Sequence, residues 1–135
     1  MRRVVASLVV GALVASLGGL AWARPATTYT GVWAGDTNQD KIVGFRVNDD
    51  GELTRFRIKF DIHGDNCVLH TTAVWTGSRP IKNDRFRVHL DDLDGAATFV
   101  GRFFRGDEAK GTYKSTSNIL SGCAGHVNGT WSAAN

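Results

Sequence analysis

The chain has 135 residues, of which 42% are apolar and 21% charged, and its formal net charge is +3. It opens with Arg2 and Arg3, an apolar run and then Ala21-Trp22-Ala23, the pattern of a secretory signal with an A-x-A cleavage site. Cleavage would remove two of the 16 basic residues and leave 14 against 13 acidic ones. So small an excess gives no support for a nucleic-acid partner.

The sequence therefore predicts a signal peptide over residues 1–23, cleaved after Ala23, followed by one domain over residues 24–135. We expect the mature protein to be secreted or periplasmic and to have no membrane span after cleavage. About 112 residues are enough to bury a real core, although of modest stability.

From Thr28 onward the hydrophobic period is two, which is typical of half-buried strands. Phe56, Ile58, Phe60 and Ile62 alternate with charged residues, for example. Turn signals separate these runs, among them Gly77-Ser78-Arg79-Pro80. Eight strands are predicted, at about 28–35, 41–48, 52–62, 67–75, 85–91, 96–105, 109–116 and 124–133.

Glycine precedes an aromatic residue by two positions in several strands, as in Gly111 with Tyr113 and Gly129 with Trp131. Glycine permits a sheet to bend and a ring on the same face can cover it. The pattern favours an all-β fold, a small antiparallel eight-stranded barrel, and a β-sandwich is the alternative with the same strand spacing.

Cys67 and Cys123 are the two cysteines of the chain. An even cysteine count in an exported domain predicts a disulfide bond, and neither residue has the neighbours of a metal ligand or an activated thiol. We predict a structural Cys67–Cys123 disulfide that closes a loop of more than fifty residues.

Basic residues fall on strands and acidic residues fall in turns. Arg55, Arg57 and Arg87 are predicted to project from the outer sheet face, where they could bind an acidic polymer or protein. The alternative is a solvated sheet whose charges prevent edge pairing. Among the aromatic residues, Trp75 stands at a predicted strand end and is a candidate ligand-binding residue at a barrel mouth.

Metal and catalytic motifs are not convincing. The segment Asp36–Asp40 begins like an EF-hand calcium loop, but Lys41 replaces the required glycine and Val47 the bidentate glutamate. His89 with Asp91, Asp92 and Asp94 is better explained as turn chemistry. No metal, cofactor or catalytic residue is predicted.

Two resemblances follow from short motifs. Gly31-Val32-Trp33-Ala34-Gly35, Cys123-Ala124-Gly125 and Gly129-Thr130-Trp131 resemble the layout of small exported bacterial β-domains of uncharacterised function. That resemblance implies a fold and a disulfide, not an activity. Gly31-Val32-Trp33, Asp50-Gly51-Glu52-Leu53 and Trp75-Thr76-Gly77 resemble the opening half of avidin-like barrels. This second resemblance implies a small ligand held in the barrel mouth.

The leading functional hypothesis is an exported, non-enzymatic binding or structural module that uses a basic sheet face. Its partner would be an anionic polysaccharide or a secreted protein. One alternative is a carrier of avidin-like or calycin type with a small apolar ligand. Another is an inhibitor of a secreted hydrolase.

Overall fold

The computed structural model describes residues 29–105 and 107–135, which form eight strands and a short 3-10 turn at Ile119–Ser121. The strands are β1 (Gly31–Thr37), β2 (Ile42–Val47), β3 (Glu52–Gly64), β4 (Val68–Pro80), β5 (Arg85–Asp92), β6 (Gly95–Phe104), β7 (Glu108–Ser117) and β8 (Gly125–Ala134). The predicted signal peptide, residues 1–23, lies outside the described residues. No helix within the two described ranges has the length and hydropathy to cross a membrane.

All eight strands belong to one antiparallel sheet in the order β4-β3-β2-β1-β8-β7-β6-β5. The sheet curls into a closed barrel, so that β4 and β5 face each other across the closure. In the described part of the chain, backbone pairing at this closure is limited to the bridge between Lys82 and Arg85. The predicted all-β barrel is confirmed, and the sandwich alternative is not the fold observed.

The β1–β2 hairpin is short, and β3 extends past it to pair directly with β8 at His63–His126. The hairpin turn fills the gap that this leaves. Gln39 accepts a hydrogen bond from the Asp61 amide at 2.7 Å and donates one to the Asp61 carbonyl at 3.0 Å. Asn38 accepts one from the Tyr113 hydroxyl at 3.0 Å. Asn38 also accepts one from the Thr130 amide at 3.2 Å, so two turn side chains continue the backbone ladder where the strands stop.

The core is formed by the inward faces of all eight strands and is rich in rings. Trp33 stacks on Phe45 with centroids 5.4 Å apart, and Phe45 meets Trp131 edge-on at 5.7 Å. Offset and edge-on contacts of this kind are the favoured geometries of aromatic pairs. The period-two hydrophobic residues of the sequence supply most of this interior.

Glycines and rings face one another across strands β7 and β8. Gly111 pairs with Trp131, and Tyr113 pairs with Gly129, so each strand contributes one glycine and one ring. A Cβ on either glycine would overlap the opposite ring. The expected covering of glycine by aromatic residues is present, but the ring comes from the neighbouring strand and not from the glycine's own strand.

The turn between β4 and β5 is not where the sequence predicts it. Residues 77–80 continue β4, and the chain reverses at Asn83 and Asp84, whose φ angles are 52° and 60°. Asn and Asp tolerate the left-handed region that a two-residue hairpin turn requires. Pro80 is tolerated at the end of β4 because this strand has an edge without a ladder partner.

Candidate ligand-binding cavity

The two ends of the barrel differ. One end, called the closed end, is filled by buried Tyr29, Leu53 and Ile81. The Tyr29 ring stacks on Phe103 at 4.1 Å, and its hydroxyl donates to Asp84 at 2.5 Å. The other end, called the open end, carries the β3–β4 turn, the β5–β6 turn and the β7–β8 loop.

A cavity of about 560 Å³ lies at the open end, between the facing edges of β4 and β5. Its volume is within the range of small-molecule binding sites. Apolar side chains contributed by β3, β4, β5 and β6 form the inner part: Phe60, Ile62, Leu69, Ala73, Leu90 and Ala97. The inner part of the cavity is therefore continuous with the barrel interior, and its outer part opens to solvent between β4 and β5, where exposed His70 and Val74 line it.

The cavity arises from a change of side-chain size along three strands. Two residues before Trp75 on the same face of β4 stands Ala73, and two residues before Phe99 on β6 stands Ala97. On β7, the inward position after Tyr113 is Ser115. Because residues i and i+2 share a face of a strand, each of these three strands carries a large ring at one inward position and a small side chain at the next. The small side chains leave the cavity.

Hydroxyl groups line the wall of the cavity towards the open end. Ser115 donates to the Ala96 carbonyl at 3.1 Å, and Ser117 donates to the Cys123 carbonyl at 2.5 Å. The hydroxyl oxygen of Thr71 is buried and has no hydrogen-bond partner. Such an atom is uncommon in a folded protein and offers a donor and an acceptor to a ligand.

The rim is acidic. Asp91, Asp92 and Asp94 are among the residues that line the cavity, and no lysine or arginine is among its described lining residues. Asp92 shapes the β5–β6 turn by accepting hydrogen bonds from the amides of Asp94 at 2.8 Å and Gly95 at 3.0 Å. Asp91 contacts His89 at 2.9 Å.

The predicted disulfide is confirmed and holds the open end together. Cys67 and Cys123 join the β3–β4 turn to the β7–β8 loop, with Cα atoms 5.8 Å apart. A Cβ on Gly64 would lie 2.5 Å from the Cys67 sulfur and 2.7 Å from the Ala124 carbonyl, so the bond packs directly against backbone. Ser117 and Ser121 both bond to the Cys123 carbonyl and both line the cavity.

Three large apolar side chains project into solvent beside this rim. Leu93, Ile119 and Leu120 are 83%, 84% and 69% exposed. Asn118 links the two loops that carry them, because its side chain donates to the Leu93 carbonyl at 2.7 Å and accepts from the Leu120 amide at 2.9 Å. The open end therefore combines an apolar tip with an acidic rim.

One perturbed carboxyl group lies on the outer surface of β3. The hydrogen bond from His70 to Asp61, 2.7 Å long, lowers the pKa of Asp61, and the Lys41 ammonium at 3.8 Å acts in the same direction. His70 is also a lining residue of the cavity. On the inner side, burial raises the pKa of Tyr113.

The residues singled out from the sequence are distributed over different parts of the molecule. Trp75 is 9% exposed, pairs with Phe56 across β3 and β4, and belongs to the packed core, not to a mouth or rim. Arg55 and Arg57 lie side by side on the outer face of β3. Arg87 projects from β5, on the far side of β4 and the closure.

The acidic segments form turns. Residues 36–40 belong to the end of β1 and its hairpin turn, with Asp40 at φ 57°. His89 is hydrogen-bonded to Thr98 at 2.7 Å as well as to Asp91. Within residues 29–105 and 107–135, no three His, Cys, Asp or Glu side chains are grouped to hold a metal ion.

Sequence reasoning missed the cavity residues Thr71, Ala73, Ala97 and Ser115. A signal for them exists: alanine or serine replaces a large side chain at an inward position of three strands. Bringing these positions together needs the strand register, which sets Ala97 opposite Ser115, and the barrel closure, which turns β4 towards β5. Comparisons with protein-family models, with curated proteins and with solved structures found no match for the chain.

Proposed function

We propose that the protein binds a small amphipathic molecule in the open-end cavity and acts as a carrier or sensor without a chemical step. The observation that supports this is the set of small side chains, which leaves about 560 Å³ between β4 and β5. Barrels that fill their interior alternate large and small side chains to avoid such a space. Here Ala97 and Ser115 are opposite each other in the β6–β7 ladder, and Ala73 lines the same cavity from β4.

The lining suggests how the ligand would be oriented. Phe60, Ile62 and Leu90 would contact its apolar part, whose transfer from water is favourable by about 25 cal/mol per Å². The unpartnered hydroxyl of Thr71 would accept or donate one hydrogen bond to a polar group. This orientation leaves the polar end of the ligand towards the rim.

The acidic rim would select among ligands by charge. A carboxylate or sulfonate near Asp92 and Asp94 would be repelled, whereas a neutral or cationic group would not. We therefore propose neutral or cationic amphiphiles as the ligand class. Fatty acids are disfavoured by the same argument.

Two matched fluorescent probes test the proposal. N-Phenyl-1-naphthylamine is uncharged, and 8-anilino-1-naphthalenesulfonate has the same ring system with an added sulfonate. The uncharged probe should bind saturably and more tightly than the sulfonate. Equal affinity would contradict the charge argument, and the absence of saturable binding for either probe would contradict a binding cavity.

The variant Ala97→Leu places three more carbons in the cavity and should weaken binding of the uncharged probe roughly 10-fold or more. Its thermal midpoint should be unchanged or higher, because space is available. In a filled core the same change would cost about 1–3 kcal/mol. Val100→Leu, on the exposed face of the same strand, is the control and should bind as the unmodified protein does. Equal binding by both variants would locate the probe elsewhere.

A further inference from the structure

A second candidate surface lies outside the barrel, away from the cavity. Arg46 on β2 and Arg55 and Arg57 on β3 are all exposed, and together they form what we call the arginine face. Arg46 and Arg55 are directly opposite each other in the β2–β3 ladder. Arg57 follows two residues later on the same face of β3.

The pairing of Arg46 with Arg55 across β2 and β3 lowers the stability of the fold. Like charges directly opposite on neighbouring strands are destabilising by a few tenths of a kcal/mol to about 1 kcal/mol. No carboxylate in the described part of the chain forms an ion pair with these arginines; the observed ion pairs belong to Lys41, His70, His89 and Lys110. The three guanidinium groups therefore keep their hydrogen-bond donors available.

The surface beside the arginines has small side chains. Arg57 pairs with Gly44, and Gly44 pairs with Ala34 on β1, so the row across the strands next to Arg57 consists of small residues. Val32 and Thr76 flank the Arg46–Arg55 pair. An extended chain can lie across such a row and meet the guanidinium groups along its side.

We propose that the arginine face binds a linear acidic polysaccharide through its carboxylate or sulfate groups. The planar fork of arginine matches these groups and forms paired hydrogen bonds with them. Neighbouring strands are about 4.8 Å apart, and Arg57 lies two residues beyond Arg55, so the three guanidinium groups are spread along a surface that a polymer with repeated anionic groups can follow. This proposal is independent of the cavity and of its ligand.

The chemistry of the face argues against single-stranded nucleic acid. Proteins bind single strands largely by stacking bases on aromatic side chains. The positions around the arginines are Val32, Ala34, Gly44 and Thr76, none of which has a ring. Hydroxyl and small aliphatic neighbours suit a sugar polymer better than a base.

The opposite side of the barrel supplies a matched control. Arg85, Arg102 and Lys110 lie opposite one another on β5, β6 and β7. This second ladder has local partners, since Lys110 contacts Glu108 at 3.1 Å and Arg102 lies 5.1 Å from the centre of the Phe104 ring. Neutralising either triplet removes three positive charges, so the two variants have the same net charge.

The experiment is calorimetric titration of the oxidised protein with a heparin octasaccharide, at low and at high salt. The variant R46Q/R55Q/R57Q should bind roughly 10-fold or more weakly, while R85Q/R102Q/K110Q should stay within about 3-fold of the unmodified protein. The salt dependence of binding should also be smaller for the first variant. Its thermal midpoint should not fall, because the change removes repulsion.

Three outcomes would overturn the proposal. Equal weakening by both triplets would show that net charge, and not the arginine face, attracts the oligosaccharide. Equal or tighter binding of an oligothymidine of the same charge would favour nucleic acid. No heat and no shift in thermal midpoint with the octasaccharide at low salt would show that the face does not bind it.

Discussion

A buried hydroxyl without a hydrogen-bond partner is rare in folded proteins, and Thr71 carries one beside the cavity. An unmet hydrogen bond of this kind costs about 1–3 kcal/mol. Such a cost at a concave site is consistent with selection for binding and not for stability alone. The indole nitrogen of Trp131 also lacks a partner, and nothing in the structure explains it.

Asp61 is one of the residues whose ionisation should influence stability. Its pKa is lowered mainly by the hydrogen bond from His70, so the folded state favours the carboxylate. A lowered pKa in the folded state stabilises the protein above the ordinary value of about 3.9, and this stabilisation is lost as pH falls through the folded value. Asp61→Asn should therefore lower the thermal midpoint at neutral pH.

The difference in thermal midpoint between the unmodified protein and Asp61→Asn should begin to shrink below pH of about 4, where the unfolded carboxyl group becomes protonated, and should approach zero as pH falls through the lower pKa of the folded state. Thermal unfolding followed by circular dichroism across this pH range measures it. Asp65→Asn, in the exposed β3–β4 turn, is the control and should show no such gap. A difference that persists or grows in acid would contradict the assigned role of the carboxylate.

At the scale of strands, β7 and β8 depend on reciprocal pairing of glycine with aromatic residues. A Cβ at position 111 would overlap the Val100 carbonyl and the Trp131 indole. Gly111→Ala should therefore lower the free energy of unfolding by about 2 kcal/mol or more, as overpacking of a core does. Urea unfolding at equilibrium measures the change.

Gly44→Ala provides the comparison on another strand. A Cβ there would meet the Trp33 carbonyl at 3.4 Å, an ordinary contact distance. Alanine also reduces the freedom of the unfolded chain, so this variant should be as stable as the original protein or slightly more stable. Equal destabilisation of both variants would show that the cost arises from glycine backbone geometry and not from the ring.

Strand patterns in the sequence were sufficient to predict the number of strands, because period-two hydrophobicity is a local property. The barrel was favoured over the sandwich by a different feature, the glycine two positions before an aromatic residue. The position of the β4–β5 turn was not predicted correctly. The sequence analysis placed the turn at Gly77-Ser78-Arg79-Pro80, although Pro80 is harmless on an edge without a ladder partner, and it did not recognise Asn83 and Asp84 as turn residues.

The cavity could not be predicted in the same way. Its walls come from strands that are distant in sequence, and their small side chains come together only once β4, β6 and β7 are aligned. The direct pairing of β3 with β8 likewise depends on how far the shorter hairpin reaches. Local periodicity specifies which face is buried, but not which residues come together inside the barrel.

On the scale of the whole molecule, the barrel has a closed end filled by packed side chains and an open end whose loops are cross-linked by the disulfide. The closed end is held by Tyr29, Trp33 and Phe103 in mutual contact. The open end has the cavity in place of such packing, and its loops are joined by the disulfide. The covalent bond therefore lies where noncovalent packing is sparsest.

This placement predicts a large effect of removing the disulfide. The two cysteines are 56 residues apart, and the chain-entropy model assigns such a loop about 4 kcal/mol. Domains of this size have a total stability of about 5–15 kcal/mol. The variant C67A/C123A should therefore lose much of its free energy of unfolding in urea, with a thermal midpoint lower by roughly 20 °C.

The loss should be uneven across the barrel if the disulfide holds the open end. In amide hydrogen exchange, C67A/C123A should lose protection first in the β3–β4 turn and the β7–β8 loop, while β1 near Trp33 keeps protection up to global unfolding. Uncharged probe binding should weaken with the same variant, because Ser117 and Ser121 are positioned by the Cys123 carbonyl. Uniform loss of protection at both ends would mean that the disulfide stabilises the barrel as one unit. Unchanged probe binding would mean that the strands alone shape the cavity.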